Sequence, residues 1–233
     1  MSARVIRFGV LASTGGAVLT RMLESAWFRS RLAIVTTDRS CGALERAAAA
    51  GIPVALVRET DRVRREQAFT AAFQQQEVDH ILLFYTRLVQ HELLTRYRGR
   101  LWNLHPSLLP AFPGAHGFED AMAARARVLG TTLHAVDDGI DTGPALIQSA
   151  FARRPGASER ELRHAIFVQQ VRSALQACRW LAAGRVTVSE GQVHLRDEPA
   201  PIAHDGALFT PGLDDAEARS LMIPSPSAME SPR

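Results

Sequence analysis

Short apolar runs alternate with segments of helical periodicity along the first hundred residues. Residues 5–11 are mostly apolar and end at a Ser-Thr-Gly-Gly turn, after which apolar residues recur at the spacing of one helix face. Further strands are predicted at 32–35, 54–57 and 80–85, and further helices at 43–50, 60–75 and 90–97. This alternation predicts an α/β fold with a doubly wound, mostly parallel sheet and helices on both faces.

The second half of the chain continues the pattern and then changes character. Strands are predicted at 101–105, 131–136 and 145–150, helices at 118–126 and from a capping box at Ser158 to about 181, and a C-terminal hairpin at 186–195. Beyond about residue 219 the chain is rich in proline and serine, which is typical of disordered ends. We therefore expect one catalytic domain over 1–198 and a partly disordered C-terminal extension over 199–233.

The run L-W-N-L-H-P-S-L-L-P-A-F-P-G at 101–114 carries the strongest chemical signal. Asn103 and His105 lie two apart on one face of a predicted strand, which Pro106 ends because proline cannot donate to a sheet ladder. Ligands bind at the carboxyl ends of strands in α/β sheets. An amide donor and an imidazole at such an end indicate a site that stabilises developing negative charge.

Composition excludes several classes of function. The chain of 233 residues has 27 basic residues, and all of them are arginine. Without lysine there is no Schiff-base chemistry with pyridoxal phosphate and no P-loop phosphate transfer. The net charge is only +3 with basic residues scattered among acidic ones, so a nucleic-acid partner is not indicated.

Cysteine usage and hydropathy bear on compartment and metal binding. Cys41 and Cys178 are far apart and belong to no metal or disulfide motif, and the histidines lack ligand spacing, so no metal is expected. No apolar run reaches the roughly 18 residues of a membrane span, and the N-terminus lacks the layout of a signal peptide. We therefore expect a cytoplasmic protein without a membrane partner.

Several segments together resemble the folate-dependent formyltransferase family. They are the turn at 13–16, G-A-L-E-R-A-A-A-A-G-I at 42–52, Y-T-R-L-V at 85–89, N-L-H-P-S-L-L-P-A-F-P-G at 103–114, and G-T-T-L-H-A-V-D-D-G-I-D-T-G-P at 130–144. The resemblance implies a Rossmann-like fold and transfer of a formyl group from 10-formyltetrahydrofolate to an amine. It also implies a catalytic triad at Asn103, His105 and Asp141, supported by His134.

The chemistry of formyl transfer needs groups of these kinds. When an amine attacks a formyl carbon, the carbonyl oxygen becomes an oxyanion, the amine must lose a proton, and the leaving nitrogen must gain one. Asn103 and a protonated His105 are candidate donors to the oxyanion, and Asp141 can favour the imidazolium and accept the proton. From residue type alone, Asp141 could merely shape the turn before Gly143, and for a mid-strand histidine such as His134 a core role is the commoner outcome.

The resemblance also implies where the two substrates bind. The folate is expected in a cleft beside Arg87, Leu88 and Val89, with backbone of Asp138, Gly139, Ile140 and Asp141 closing over it. The acceptor is expected at the turn of Ser13, Thr14, Gly15 and Gly16, whose amides precede a helix and so favour a phosphate, and at Gln170.

The acceptor predicted first is glycinamide ribonucleotide of purine synthesis. The chain departs from the family pattern at Ala17, where an asparagine is usual, at Phe167, a polar position, and at Gln170, usually a glutamate. A small amine or an amino sugar is therefore the alternative acceptor. A non-catalytic folate- or nucleotide-binding module is the alternative of a different class.

Two related enzymes are disfavoured by the expected domain layout. A methionyl-tRNA formyltransferase would carry a large C-terminal RNA-binding domain, and a formyltetrahydrofolate hydrolase would carry an N-terminal regulatory domain. The oligomeric state is left open by the sequence.

Overall fold

A computed structural model describes residues 4–221 and residue 223. The strands are β1 Phe8–Ala12, β2 Leu32–Thr37, β3 Val54–Leu56, β4 His80–Phe84, β5 Leu101–His105, β6 Val128–Ala135, β7 Ala145–Ala152, β8 Val186–Ser189, β9 Gln192–Leu195, β10 Ile202–His204 and β11 Ala207–Thr210. The helices are α1 Ala17–Met22, α2 Ala26–Arg29, α3 Gly42–Ala49, α4 Arg62–Gln75, α5 His91–Arg96, α6 Gly117–Ala123, α7 Glu159–Ala182 and α8 Ala216–Ser220.

Nine strands form one sheet in the order β10-β11-β7-β6-β5-β4-β1-β2-β3. The five neighbouring strands β5, β4, β1, β2 and β3 pair in parallel. The strands β6, β7, β11 and β10 extend the sheet with antiparallel pairs. The predicted α/β fold is confirmed, and β8 with β9 forms the predicted C-terminal hairpin. Because β1, β4 and β5 run in parallel, the segments that follow them emerge at one edge of the sheet.

Alternate residues of β1 supply two cores on opposite faces of the sheet. Phe8 and Val10 pack in the larger core, which includes buried residues of α1, α3 and α7. Leu11 points the other way into a core that includes Phe69 and Phe73 of α4 and residues of α5. Burying one side chain of this size contributes about 1.5–3 kcal/mol to the free energy of folding, so both layers of helices are held firmly against the sheet.

Gly9 lies in the middle of β1 and permits the close approach of α4. A Cβ atom built at this position would lie 2.7 Å from the ring of Phe73. Because no real Cβ contact is that short, a larger residue at position 9 would push α4 away from the sheet. The glycine inside this apolar strand is explained by packing.

The C-terminal region contains elements that the sequence patterns did not predict. β10 and β11 form a second hairpin through Asp205 and Gly206, both with positive φ. β11 pairs with β7, and β10 is the last strand at that end of the sheet. Asp-Gly between short apolar segments is a signal for such a turn and was overlooked. The boundary proposed at residue 198 stays a prediction, and most of the tail expected to be disordered lies outside the described residues.

Element boundaries otherwise differ from the predictions by a few residues. β1 begins at Phe8 instead of residue 5, β6 begins at Val128 instead of residue 131, and α6 ends three residues early at Ala123. The capping box of α7 is present, with Ser158 and Glu161 bonding each other's backbone. Over the described residues, no helix combines the length and the apolar character needed to cross a membrane.

Candidate active site

Four polar side chains meet at the edge of the sheet where β5 ends. Asn103 and His105 come from β5, and His134 lies directly opposite Asn103 on the antiparallel neighbour β6. Asp141 comes from the loop between β6 and β7, where it adopts a left-handed backbone conformation with φ 54°. The structure thus brings together the four residues that the sequence predicted as catalytic.

The Asp141 carboxylate is the centre of this cluster. Its Oδ1 accepts a hydrogen bond from Asn103 Nδ2 at 3.2 Å and lies 3.5 Å from His134 Nε2. Its Oδ2 accepts from the Gly114 amide at 2.8 Å and lies 3.3 Å from His105 Nδ1. The Asp141 side chain is 14% exposed, and those of His105 and His134 are 4% and 2% exposed, so these interactions are well shielded from water.

These contacts hold Asp141 in its charged form. Burial raises the pKa of the Asp141 carboxyl, but hydrogen bonds with His134 and the Gly114 amide and the charges of the two histidines outweigh burial. The net effect is a pKa below the ordinary carboxyl value. An ionised carboxylate at this position favours a protonated imidazole beside it.

Hydrogen-bond chemistry restricts where the protons lie. His105 Nε2 is 2.8 Å from the Phe112 carbonyl oxygen, and its Nδ1 faces Asp141. Because both partners only accept, a His105 ring that bonds both carries a proton on each nitrogen. His134 Nδ1 lies 2.9 Å from the Ala135 carbonyl oxygen, so the neutral ring accepts from Asn103 through Nε2 and the charged ring donates to Asp141.

The His105 ring is enclosed by backbone on its other side. A Cβ atom built at Gly117, the first residue of α6, would lie 2.5 Å from His105 Nε2. Thr131 Oγ1 donates to the His105 carbonyl oxygen at 2.6 Å and fixes the backbone beneath the ring. Sequence reasoning did not single out Gly117, although a glycine shortly after the His-Pro run was visible.

A cleft of about 370 Å³ opens beside the cluster and has the four polar residues on its wall. Arg87, Leu88 and Val89 line it, as do Gly139 and Ile140. The cleft-lining residues also include apolar Leu83 and Val136. Five of the residues predicted to bind folate therefore surround one cavity that contains the catalytic candidates.

Asp138 is placed differently from the rest of the predicted folate residues. Its carboxylate pairs with Arg98 through two contacts of 3.0 and 3.1 Å, and the residue is exposed outside the cleft. The prediction for this position concerned its backbone, which stays a prediction. His116, another residue near the motif, is exposed and precedes α6.

One acidic residue that sequence reasoning missed holds the cleft arginine. Asp38 follows β2, and its side chain is 2% exposed. Its Oδ2 lies 3.3 Å from Arg87 Nε and accepts from the Tyr85 hydroxyl at 3.4 Å, while Arg39 binds both carboxylate oxygens at 3.0 Å. Burial raises the pKa of Asp38, but the two arginines more than offset this and lower it.

The turn after β1 emerges at the same sheet edge. Ser13 Oγ accepts from the Thr86 amide at 3.1 Å and bonds the Thr86 hydroxyl, so this side chain serves the neighbouring loop. Gly16 has φ 72° and packs against the backbone of Ala43. Thr14 and Gly15 are exposed, and in the described part of the chain their amides donate to no internal acceptor.

The predicted acceptor residues on α7 do not line the described cleft. Gln170 is half-buried on the helix, which contacts α1 beside the turn. Phe167, one turn earlier, packs against the larger core and lies 5.9 Å from the ring of His164. Across the residues described, no group of three or more His, Cys, Asp or Glu side chains has an arrangement suited to a metal ion.

Comparisons with known proteins agree with this architecture. A sequence profile described as "Formyl transferase" matches residues 4–177 of the chain. The phosphoribosylglycinamide formyltransferase of Mycobacterium tuberculosis is 40% identical over 188 residues, which cover 78% of this chain and 87% of that protein. The protein of the same name from Bacillus subtilis is 39% identical over 153 residues, covering 62% and 78% respectively.

A solved structure gives the same result in three dimensions. Glycinamide ribonucleotide transformylase 1 from Symbiobacterium toebii superimposes with a TM-score of 0.79 at 33% sequence identity. The match covers 84% of this chain and 96% of that one. The segment matched by the profile contains all four polar residues at the sheet edge and every residue of the cleft.

Proposed function

The chain belongs to the formyl transferase family, and we propose that it transfers the formyl group of 10-formyltetrahydrofolate to the amine of glycinamide ribonucleotide in purine synthesis. The observation that carries the proposal is the buried carboxylate of Asp141, which contacts Asn103, His105 and His134 on the wall of one cleft. The names of the relatives from Mycobacterium tuberculosis and Bacillus subtilis support the choice of acceptor.

The cleft suits a flat, partly apolar ring with polar edges. Leu83, Val136 and Ile140 provide apolar surface, and the loop containing Leu88 and Val89 forms one side. Backbone groups of the two flanking loops can bond the donor and acceptor edges of a pterin ring. When bound, the folate supplies the formyl group; Arg87, Leu88, Val89 and the backbone of 138–141 are the residues proposed to hold it.

Asn103 and His105 stabilise the oxygen that gains negative charge as the amine adds to the formyl carbon. Asn103 Nδ2 makes two bonds of 3.2 Å in the free protein, which are long for its type and readily exchanged for a charged acceptor. When protonated, His105 supplies a stronger charge-assisted hydrogen bond after one of its N–H groups exchanges its protein acceptor, Asp141 or the Phe112 carbonyl oxygen, for the developing oxyanion. One such donor contributes about 3 to 4 kcal/mol to lowering the barrier.

Asp141 and His134 handle protons and orientation. Asp141 stays ionised, so it favours a protonated His105 and accepts the amine proton directly or through a water molecule. As the bond between the formyl carbon and the folate nitrogen breaks, Asp141 passes that proton to the leaving nitrogen and returns to its ionised form. His134 Nε2 lies 3.2 Å from Asn103 Nδ2 and 3.5 Å from Asp141 Oδ1, so this one ring nitrogen is in contact with both groups and restrains their relative position. His134 thus acts as a positioning residue behind the two groups that face the substrate.

The acceptor binds at the turn of residues 13–16 in this proposal. The exposed amides of Thr14 and Gly15 are available to a phosphate group, and Gln170 on α7 is available to a ribose hydroxyl. A second acceptor class, an unphosphorylated amine or amino sugar, is favoured by Phe167, which presents an aromatic ring at a polar family position. The formyl-transfer step is the same for both.

Competition between acceptors tests the proposal. The purified protein is incubated with 10-formyltetrahydrofolate and with glycinamide ribonucleotide, amino sugars or small amines, and release of tetrahydrofolate is followed. Turnover with the ribonucleotide at a kcat/KM at least tenfold above the other amines supports the proposal. Turnover only with another amine would overturn the proposal that glycinamide ribonucleotide is the acceptor. Folate binding without transfer to any amine would overturn the proposed enzymatic activity and favour a binding module.

A further inference from the structure

The loop of residues 85–90, which we call the cleft-wall loop, forms one side of the cleft. It connects β4 with α5 and contains no helix or strand. Tyr85, Thr86, Arg87, Leu88 and Val89 all line the cavity. Leu88 is 46% exposed, so packing alone does not hold the middle of the loop in place. Interactions from outside the loop must therefore fix its conformation.

Asp38 holds the first part of the cleft-wall loop. It lies across the sheet edge, in the segment after β2, and contacts the Tyr85 hydroxyl and Arg87 Nε. Its Oδ2 lies 3.3 Å from Arg87 Nε in an ion pair, while the side chain of Arg87 remains 47% exposed. The guanidinium is thus oriented by a buried charge and keeps donors for a ligand.

Glu66 holds the end of the same loop from the other side. It lies on α4 with a side chain 4% exposed, and both carboxylate oxygens accept from the Gln90 amide, at 3.0 and 3.1 Å. Arg62, one turn earlier, places its Nε 3.7 Å from Glu66 and donates to the Leu88 carbonyl oxygen at 3.5 Å. Burial raises the net pKa of Glu66, whereas Arg39 and Arg87 outweigh burial at Asp38 and lower its net pKa.

Two buried carboxylates from separate elements therefore converge on one short loop. Burying a carboxylate is costly unless hydrogen bonds compensate. Glu66 accepts from the loop backbone at Gln90, and Asp38 is bonded by Arg39 and also contacts Tyr85 and Arg87 of the loop. We propose that Asp38 and Glu66 are positioning residues that hold the cleft-wall loop in the conformation that binds the folate. This rests on the proposed function, because it assigns the folate to the cleft beside that loop.

The expected effect is on binding of the folate and not on the chemical step. The cluster around Asp141 lies on β5, β6 and a different loop, so loosening residues 85–90 leaves it in place. In a variant with a loosened loop, folate binding must also order the loop, and this lowers the binding free energy; in the wild type the loop is already ordered before the folate binds. Asp38→Asn and Glu66→Ala should each raise the KM for 10-formyltetrahydrofolate about fivefold or more, with kcat within about twofold.

Three comparisons separate positioning from general destabilisation. Glu66→Gln keeps one oxygen for the Gln90 amide and should restore most of the affinity lost in Glu66→Ala. In a Tyr85→Phe, Arg87→Ala background, Asp38→Asn should add less than about a twofold rise in KM, because both loop partners of Asp38 are already removed. Asp214→Asn, which loses a carboxylate bonded to Gln176, Trp180 and Arg185 far from the loop, should leave KM unchanged.

Hydrogen exchange of the ligand-free protein tests the proposal without reference to activity. Faster exchange of amides 85–90 in Asp38→Asn and Glu66→Ala, but not in Asp214→Asn, supports it even if the wild type transfers no formyl group. That combination would overturn the proposed function alone. Unchanged exchange in the loop, or a fall in kcat with KM unchanged, would overturn the positioning role.

Discussion

The proposed reaction centre and the proposed acceptor-side turn lie at the same edge of the sheet but are built in different ways. The centre consists of side chains from β5, β6 and the following loop, all in contact with the Asp141 carboxylate. The turn after β1 presents mainly backbone, with Thr14 and Gly15 exposed and the Ser13 hydroxyl bonded to Thr86. A mutually bonded set of side chains tolerates little change, whereas a backbone turn accepts different neighbours.

Because of this difference, substitutions in the two regions should affect different properties, formyl transfer in one and acceptor choice in the other. Replacing any member of the Asp141 cluster leaves buried polar atoms of the others without partners. Replacements around the turn, at Ala17, Phe167 and Gln170, leave its amides in place. We therefore expect the largest losses from changes in the centre, and modest, acceptor-specific effects from changes around the turn.

Asp141→Asn should give the largest effect. The amide cannot accept the amine proton and does not stabilise a charged His105, so kcat should fall about 1,000-fold with little change in the KM for folate. Steady-state kinetics with 10-formyltetrahydrofolate provide the measurement. Asp120→Asn, which removes an exposed carboxylate of α6, is the matched control and should leave kcat unchanged. A loss of less than tenfold in Asp141→Asn would contradict the central role of this carboxylate.

Gly117→Ala should have the next largest effect. The added Cβ would lie 2.5 Å from His105 Nε2, so the ring must shift away from its bonds to Phe112 and Asp141. Small displacements of catalytic groups are costly, and we expect kcat to fall at least about tenfold. In a His105→Ala background the same change should have no further effect on kcat. An additive loss there would show that Gly117 acts on something other than the histidine.

Gln170→Glu should sharpen the acceptor side of the comparison. A carboxylate binds sugar hydroxyls more strongly than an amide does, so the KM for glycinamide ribonucleotide should fall about fivefold with kcat unchanged. The KM for folate serves as the internal control and should stay constant. An unchanged KM for the ribonucleotide would place Gln170 outside the acceptor site, and a rise would contradict its proposed bond to a ribose hydroxyl.

His80 tests the scaffold beneath both regions and should affect turnover least. Its ring packs between Phe8 and Trp102, and burial lowers its pKa from 6.5 to about 4. The unfolded chain therefore binds a proton first, so stability falls between pH 6.5 and about 4 and this contribution levels off below that. The loss is at most about 3 kcal/mol.

Denaturant unfolding at several pH values measures this contribution. His80→Gln keeps an acceptor for Trp102 Nε1 and removes the titration, so its stability should depend less on pH than that of the wild type. At pH 7.5 its turnover should match the wild type. Identical pH profiles for both proteins would show that His80 is not the titrating group.

The fold could be predicted where its helices and strands show a clear hydrophobic period or are bounded by turn and cap residues. The alternation from β1 to β5 and the capping box of α7 were visible because period, glycine turns and helix caps are local signals. The pairing of β11 with β7 was not visible, because it depends on contacts between residues about 60 positions apart. The Asp205-Gly206 turn was the one local sign of that hairpin.

The site residues also fall into those that the sequence could predict and those that only the structure shows. Asn103 and His105 share a strand face, and their neighbourhood was predictable from spacing, whereas the positions of Asp141 and His134 came from resemblance. Asp38, Glu66 and Gly117 were missed, because their roles depend on contacts with Arg87, Gln90 and His105 that only the three-dimensional structure supplies. Residues that act by holding another residue in place have no sequence pattern of their own.

The most direct test of the account is the kcat of Asn103→Ala relative to wild type, measured with two chemically different acceptors, glycinamide ribonucleotide and the best unphosphorylated amine. If Asn103 stabilises the oxyanion of the formyl group, as proposed, the loss should be about several hundredfold and equal for both acceptors within about threefold. A loss confined to one acceptor, or near-normal turnover with both, would contradict the claim that this cluster performs the formyl transfer.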